Sequence, residues 1–159
     1  MKKDFHTVRG YENINSTRKL LTPAMEDYLE MVYRCSIEDK IVRLNKIAQM
    51  LNVRDSSASK MMKKLGNLAL INYEKYGVIE LTENGVNLGK YLLYRHTVIE
   101  EFLKHLGGQD EVLIETELIE HVISSETVEN INMLNMFFKN NPDILKKYNK
   151  FKKDNKKIT

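Results

Sequence analysis

The 159-residue chain lacks tryptophan and contains a single cysteine, Cys35. One cysteine cannot form an internal disulfide, nor supply the thiolate pair of a structural zinc site or a redox couple. No apolar run approaches the roughly 20 residues that cross a bilayer. The polar N-terminal residues are followed by no apolar segment of the kind found in a secretory signal. These absences predict a protein of the reducing cytoplasm, with no membrane partner.

The net charge of +3 is unevenly distributed along the chain. Residues 42–95 contain nine basic and four acidic side chains, whereas residues 96–138 contain one basic and nine acidic side chains. Residues 139–159 contain eight lysines and two aspartates. A basic block next to an acidic block indicates a polyanion partner for the first and cations for the second.

The first clear helix signal is Thr22-Pro23, because threonine is a good N-cap and proline is tolerated at the first helical position. The apolar pattern predicts a helix that runs to about Cys35. Asp27 and Glu30 lie three residues apart and therefore share a face of this helix. Acids near a helix start are also favoured by the helix dipole, so this pair alone does not establish a site.

Residues 43–51 and 56–65 predict two short helices across a tight turn, with Asp55 or Ser56 capping the second one. This is the helix-turn-helix arrangement, in which the start of the second helix enters the major groove and lysines contact phosphates. An ordinary helical hairpin with a solvated lysine face is the alternative. The predicted DNA contacts from this region are Arg54, Ser56, Ser57, Ser59, Lys60, Lys63 and Lys64.

Residues 70–82 predict two short strands around Tyr76-Gly77, because apolar and polar side chains alternate there. A hairpin that directly follows a recognition helix is a wing, and Lys75 and Tyr76 at its tip are predicted to contact the DNA backbone. For Tyr73, packing within the wing and contact with DNA are equally compatible with the pattern.

A long helix is predicted from Thr82 to about His105, with Arg95 facing outward and His96 near its middle. A further helix is predicted from Glu111 to about Ser124, where three and four-residue spacing would place Glu117, Glu120 and His121 on one face.

Three predicted helices together supply four carboxylates and two imidazoles. The carboxylates are Asp27, Glu30, Glu117 and Glu120, and the imidazoles are His96 and His121. Oxygen-rich sites with some imidazole and no thiolate suit Mn²⁺ or Fe²⁺ better than zinc or copper. Six ligands are enough for two divalent ions. The spacing alone leaves a solvated acidic surface as an open alternative.

Five segments occur in an order that resembles the diphtheria toxin repressor family of metal-dependent transcriptional regulators, and its manganese transport regulator branch in particular. The resemblance covers about residues 22–139. The segments are Thr22-Pro-Ala-Met-Glu-Asp-Tyr-Leu-Glu30, Ser56-Ser-Ala-Ser-Lys-Met61, Tyr73-Glu-Lys-Tyr76, Leu92-Leu-Tyr-Arg-His96 and Glu117-Leu-Ile-Glu-His121.

The resemblance implies a mainly α fold, with an N-terminal winged helix-turn-helix that has a small two-stranded wing, followed by an all-helical dimerisation and metal-binding domain. It implies a DNA-binding domain at 22–90 and a helical domain at 91–140. The residues outside these domains indicate an N-terminal extension at 1–21, which has no clear apolar period, and a lysine-rich tail or helix at 141–159. The extension is not part of the family pattern, and the third, SH3-like domain of larger relatives does not fit in this length.

The resemblance also implies which residues hold the metal. Iron-responsive members have methionine in place of Asp27 and cysteine in place of Glu120, so two oxygen donors at these positions favour manganese. The implied ligands are Asp27, Glu30, His96, Glu117, Glu120 and His121.

The expected function is therefore a homodimeric, manganese-responsive repressor of metal uptake genes that binds double-stranded operator DNA, with two Mn²⁺ ions per subunit. An iron-responsive regulator of the same family, with Fe²⁺ as cofactor, is the alternative. A two-metal carboxylate enzyme is a second one, but the sequence offers no separate nucleophile or general base. A winged-helix regulator that answers a small organic ligand is a third.

Overall fold

The computed structural model describes residues 16–73, 77–107 and 111–155. Their contacts divide the chain into two compact units, one ending at Leu93 and the other beginning at Tyr94. Among the described residues, no helix is both long and apolar enough to cross a membrane.

The first unit contains helices α1 (Pro23–Glu38), α2 (Leu44–Met50) and α3 (Asp55–Asn67), and strands β1 (Val42–Arg43), β2 (Ile71–Tyr73) and β3 (Val78–Leu81). Helix α4 (Glu83–Leu106) begins in this unit and continues into the second. This order of elements confirms the winged helix-turn-helix that the sequence predicts.

Helix α1 begins as the Thr22-Pro23 pair predicts. The Thr22 hydroxyl accepts a hydrogen bond from the Met25 backbone N–H at 3.3 Å, which satisfies one of the free donors at the helix start. The start of α3 differs from the prediction, because Asp55 is already its first helical residue and Arg54 precedes it without a side-chain cap. Asp55 therefore acts through its charge in the first turn, where the helix dipole favours an acid.

The sheet has three antiparallel strands in the order β1-β3-β2, whereas the sequence predicts only the two wing strands. Val42 pairs with Ile79 and Arg43 with Val78. A two-residue strand leaves no alternation in the sequence, so only its pairing with β3 identifies it.

A hydrophobic core holds the first unit together, and it is formed by the inner faces of α1, α2, α3, the first part of α4 and the sheet. Each fully buried leucine in it contributes on the order of 2 kcal/mol. Its completely buried members include Leu29, Ile47, Met62, Leu65 and Leu70.

The second unit contains the end of α4 and helices α5 (Val112–Ile119), α6 (Ser125–Asn140) and α7 (Pro142–Asn155). Val98, Ile99 and Val128 form the centre of its smaller core. The hydroxyl of Ser124 caps α6 by accepting a hydrogen bond from Thr127 N–H at 3.1 Å. The lysine-rich tail, as far as it is described, forms helix α7.

Helix α5 is shorter than the sequence predicts. It ends at Ile119, so Glu120 is its C-cap residue and His121 lies in the following turn. The extended backbone of Ser124, needed to start α6, does not allow α5 to continue to that residue. Glu120 keeps helical backbone angles, which leaves it close to the face that carries Glu117.

Candidate metal centre and nucleic-acid interface

Glu120 is the centre of a polar cluster inside the second unit. Its side chain is buried, and its Oε2 atom lies 2.9 Å from Nδ1 of His96, which is also buried. Helix α4 supplies the histidine and the end of α5 supplies the carboxylate. A buried carboxylate requires a partner, and this imidazole is one of them.

Glu117 and His121 complete the part of the predicted site that belongs to the second unit. The Nδ1 atom of His96 lies 3.7 Å from Oε1 of Glu117, and Nε2 of His121 lies 3.9 Å from Oε1 of Glu120. One ligand atom from each of Glu117, Glu120 and His121 lies within 4.8 Å of the others. Carboxylate oxygens and imidazole nitrogens without sulfur fit Mn²⁺ or Fe²⁺, so the residues present suit the cation that the pattern implies.

Asp27 and Glu30 lie one turn apart on α1, in the first unit. Glu30 is buried, and its Oε1 accepts hydrogen bonds from Nε and a terminal nitrogen of Arg34 at 2.9 and 2.6 Å. Arg34 was not singled out in the sequence, although a glutamate and an arginine four residues apart are a recognisable helical ion pair. That Asp27 and Glu30 act with the ligands of the second unit stays a prediction.

The prediction that Arg95 faces outward is wrong. Its side chain is completely buried, with a guanidinium nitrogen 3.4 Å from Nδ1 of His121 and 3.5 Å from Oε1 of Glu120. A signal was present in the sequence, because Arg95 follows Leu92 by three residues and precedes Ile99 by four. It therefore lies on the buried stripe of α4.

Helix α3 presents the residues predicted to read DNA. Its buried face carries Ala58, Met62 and Leu65. The predicted contacts whose side chains are exposed are Arg54, Ser56, Ser57, Lys60, Lys63 and Lys64, and Asp55 and Asn67 of the same helix are exposed as well. An exposed face with small polar residues at its start and lysines along its length suits a helix in the major groove.

Ser59 differs from the other predicted DNA contacts because it is half-buried and its hydroxyl lies 3.2 Å from the Tyr73 hydroxyl. This hydrogen bond joins α3 to β2, so Tyr73 takes part in packing within the wing. Lys75 and Tyr76, the predicted contacts at the wing tip, lie outside the described residues.

Arg18 contacts α1 and α4 within the first unit. Its Nε donates a hydrogen bond to Oε1 of Glu26 at 3.1 Å, and its guanidinium lies 5.7 Å from the centre of the Tyr91 ring. No chemistry was predicted for residues 1–21, and these contacts give Arg18 a structural role.

Two family models match successive parts of the chain. The model for the iron dependent repressor N-terminal DNA binding domain matches residues 20–79, and the model for the iron dependent repressor metal binding and dimerisation domain matches residues 82–149. These ranges cover the helix-turn-helix, strands β1 and β2, the first half of β3, and the carboxylates and imidazoles around Glu120.

Among curated proteins, the chain is similar to the HTH-type transcriptional regulator MntR of Lysinibacillus sphaericus. The two are 39% identical over 127 residues, which is 79% of this chain and 91% of the relative. The regulator MntR of Bacillus subtilis is 38% identical over 120 residues, or 75% of this chain and 84% of the relative.

Among solved structures, the manganese regulator SloR has a TM-score of 0.63 at 34% identity, covering 72% of this chain and 54% of that one. The metal-dependent transcriptional regulator MtsR has a TM-score of 0.66 at 29% identity, covering 74% of this chain and 55% of that one. The chain thus spans about half the length of these two structures. Together with the carboxylates and imidazoles around buried Glu120, these matches establish that the chain belongs to the family of iron-dependent repressors, which are transcriptional regulators and not enzymes.

Proposed function

We propose that the protein is a manganese-responsive, DNA-binding transcriptional repressor that controls metal uptake genes. The observation that carries this proposal is the set of oxygen and nitrogen donors around buried Glu120, in a chain whose first unit is a helix-turn-helix. The relatives named MntR and the manganese regulator SloR support manganese as the metal.

The proposed ligands are the six residues that the sequence pattern identifies. Mn²⁺ supplies positive charge that balances their carboxylates when it is bound. Glu120 and His96 form a preordered pair, which lowers the entropy that these side chains lose on coordination. The full set, enough for two ions per subunit, is Asp27, Glu30, His96, Glu117, Glu120 and His121.

Because these ligands come from both units, coordination would restrict the orientations that the DNA-binding unit can take. A dimeric reader needs one separation of its recognition helices, set by the spacing of the half-sites. Without coordination, only a fraction of molecules would have that separation, and the apparent DNA affinity falls by the same fraction. The ligands therefore act on DNA binding through preorganisation and without contacting DNA.

A homodimer fits the apolar side chains that the second unit exposes. Monomeric proteins seldom expose many large apolar residues in one region, and such patches mark protein interfaces. The most exposed of them on α5 and α6 are Leu113, Ile114, Leu118, Met133, Met136 and Phe137. The operator lies in the cytoplasm of a bacterial cell, where we place the protein.

Operator binding at buffered free Mn²⁺, Fe²⁺ and Zn²⁺ tests the proposal. The probe is a labelled duplex selected from a random pool with the Mn²⁺-loaded protein, and the measurement is fluorescence anisotropy. We expect the affinity to rise with Mn²⁺ and fall on chelation. Binding that is unchanged by a chelator would contradict the proposal, and an affinity that rises with Fe²⁺ but not with Mn²⁺ would favour the iron-responsive alternative.

A second measurement separates a metal sensor from a regulator of a small organic ligand. The Asp27→Ala variant should lose most of its response to Mn²⁺, because it removes a carboxylate donor. An unchanged metal response in this variant would favour the organic ligand. Lys104→Ala serves as a control, because this exposed residue forms an ion pair with Glu100 on the surface of α4.

A further inference from the structure

Arg95 is a permanent positive charge inside the second unit. Its side chain is 0% exposed, and it is one of the largest fully buried side chains of the protein. Arginine does not lose its proton in proteins, so burial cannot neutralise this side chain by deprotonation. A buried charge of this kind is stable only next to groups that compensate it.

The groups that compensate Arg95 include two of the proposed metal ligands. One terminal nitrogen lies 3.5 Å from Oε1 of Glu120 and 3.4 Å from Nδ1 of His121. A guanidinium has donors only, so the imidazole nitrogen that faces it must act as the acceptor. A lone pair that accepts from a guanidinium is not available to a metal ion at the same time.

We propose that Arg95 is the resident cation of the metal-free centre, and that it competes with Mn²⁺ for Glu120 and His121. This inference rests on the proposed metal centre. In the metal-free protein, the guanidinium balances the buried carboxylate of Glu120. A divalent cation that enters the cluster meets the repulsion of this charge, so Arg95 lowers the affinity for Mn²⁺.

As a consequence, Arg95 sets the free Mn²⁺ concentration at which the repressor responds. A repressor must release metal when the free concentration falls, and a bare cluster of acids would hold its ions too strongly to do so. Arg95 stabilises the metal-free form and destabilises the metal-bound form, and both effects move the midpoint of the response to higher free Mn²⁺. Arg95 thus determines the free Mn²⁺ concentration at which the metal centre fills, and this role requires no contact with DNA.

The test compares neutral and charged replacements in the full chain. Arg95→Met keeps the length of the side chain without its charge, Arg95→Gln is a second neutral variant that still donates a hydrogen bond, and Arg95→Lys keeps the charge. We measure the Kd for Mn²⁺ by isothermal titration calorimetry and the melting temperature with and without Mn²⁺. Lys104→Met, which removes an exposed positive charge from the same helix, is the control.

We expect the neutral variants to bind Mn²⁺ about tenfold more tightly or better, as expected for removal of a nearby like charge. Their metal-free forms should melt at lower temperature, and Mn²⁺ should raise their melting temperature by more than it does in the wild type. Arg95→Lys should stay within about threefold of the wild-type Kd, and Lys104→Met should not change it.

An unchanged or higher Kd for Mn²⁺ in the folded neutral variants would overturn the inference. An equally large fall of the Kd in Arg95→Lys would overturn it as well. If Arg95→Met does not fold, Arg95→Gln decides. Failure of the wild-type protein to bind Mn²⁺ would instead count against the proposed function, so the two failures are distinguishable.

Discussion

The Nδ1 atom of His96 lies 2.9 Å from Oε2 of Glu120, although the two residues are 24 positions apart in the chain. Both side chains are buried, so neither can exchange this partner for water. Their contact joins α4 to the end of α5. Because Glu120 is buried at this junction, its replacement is the most informative test of the proposed ligands.

Glu120→Gln should weaken Mn²⁺ binding by about a hundredfold or more, because the amide keeps the shape of the side chain but removes the negative charge. Calorimetric titration with Mn²⁺ measures the effect. Glu115→Gln is the matched control, since Glu115 is exposed on the same helix. Equal affinities in the two variants would remove Glu120 from the proposed centre.

Each lysine on the exposed face of α3 should contribute one phosphate contact. Single replacements of Lys60, Lys63 and Lys64 by glutamine should weaken operator binding and lower the slope of log K against log salt by about 0.9 each. The loss should be similar for operator and non-operator DNA, because phosphate contacts carry no sequence information.

Anisotropy titrations at several salt concentrations measure these slopes. Lys139→Gln provides the control, because Lys139 is an exposed lysine at the end of α6. A lysine whose replacement leaves the slope unchanged does not contact the DNA backbone.

Among the described glycines of the first unit, Gly85 should be the least tolerant of replacement. A Cβ atom at this position would lie 1.9 Å from the carbonyl oxygen of Leu70. The same oxygen accepts hydrogen bonds from the backbone and the hydroxyl of Thr82, which hold it in place. Gly85→Ala should therefore lower the free energy of unfolding by about 1–3 kcal/mol or more.

Chemical denaturation of Gly85→Ala and Gly66→Ala checks this prediction. Gly66 is also helical, but its Cβ would lie 3.7 Å from the nearest atom, which is an ordinary contact. Gly66→Ala should raise the stability by about 0.5–1 kcal/mol, because alanine is the better helix former. Similar stabilities of the two variants would show that the chain moves away from Leu70 at little cost.

Cys35 should react slowly with thiol reagents in the native protein. It is 2% exposed, and burial raises the pKa of its thiol, while nearby Lys46 lowers that pKa and Asp39 and Glu38 raise it further.

The native thiol therefore ionises at higher pH than the unfolded one. Its contribution to stability is complete below the unfolded pKa and is lost as pH rises through the folded pKa.

Urea denaturation between about pH 7 and pH 10 measures this loss. The stability of the wild type should fall more steeply with pH than that of Cys35→Ala, which has no thiol to ionise. Parallel pH profiles of the two proteins would contradict the prediction.

The sequence alone determined the features that depend on neighbouring residues. The Thr22 cap, the helix-turn-helix, the wing strands and the long helix follow from caps, turn residues and hydrophobic periodicity, which act over a few positions. The types of the six proposed ligands were also evident, because carboxylate and imidazole chemistry is a property of the side chains themselves.

Tertiary packing decided the rest. The short strand β1 exists only because β3 pairs with it. Ser59 belongs to wing packing because Tyr73 lies opposite, and Arg95 is buried because its position on α4 faces the acidic cluster of its own unit. Such contacts join residues that are distant in the chain, and local propensity contains no information about which of them will meet.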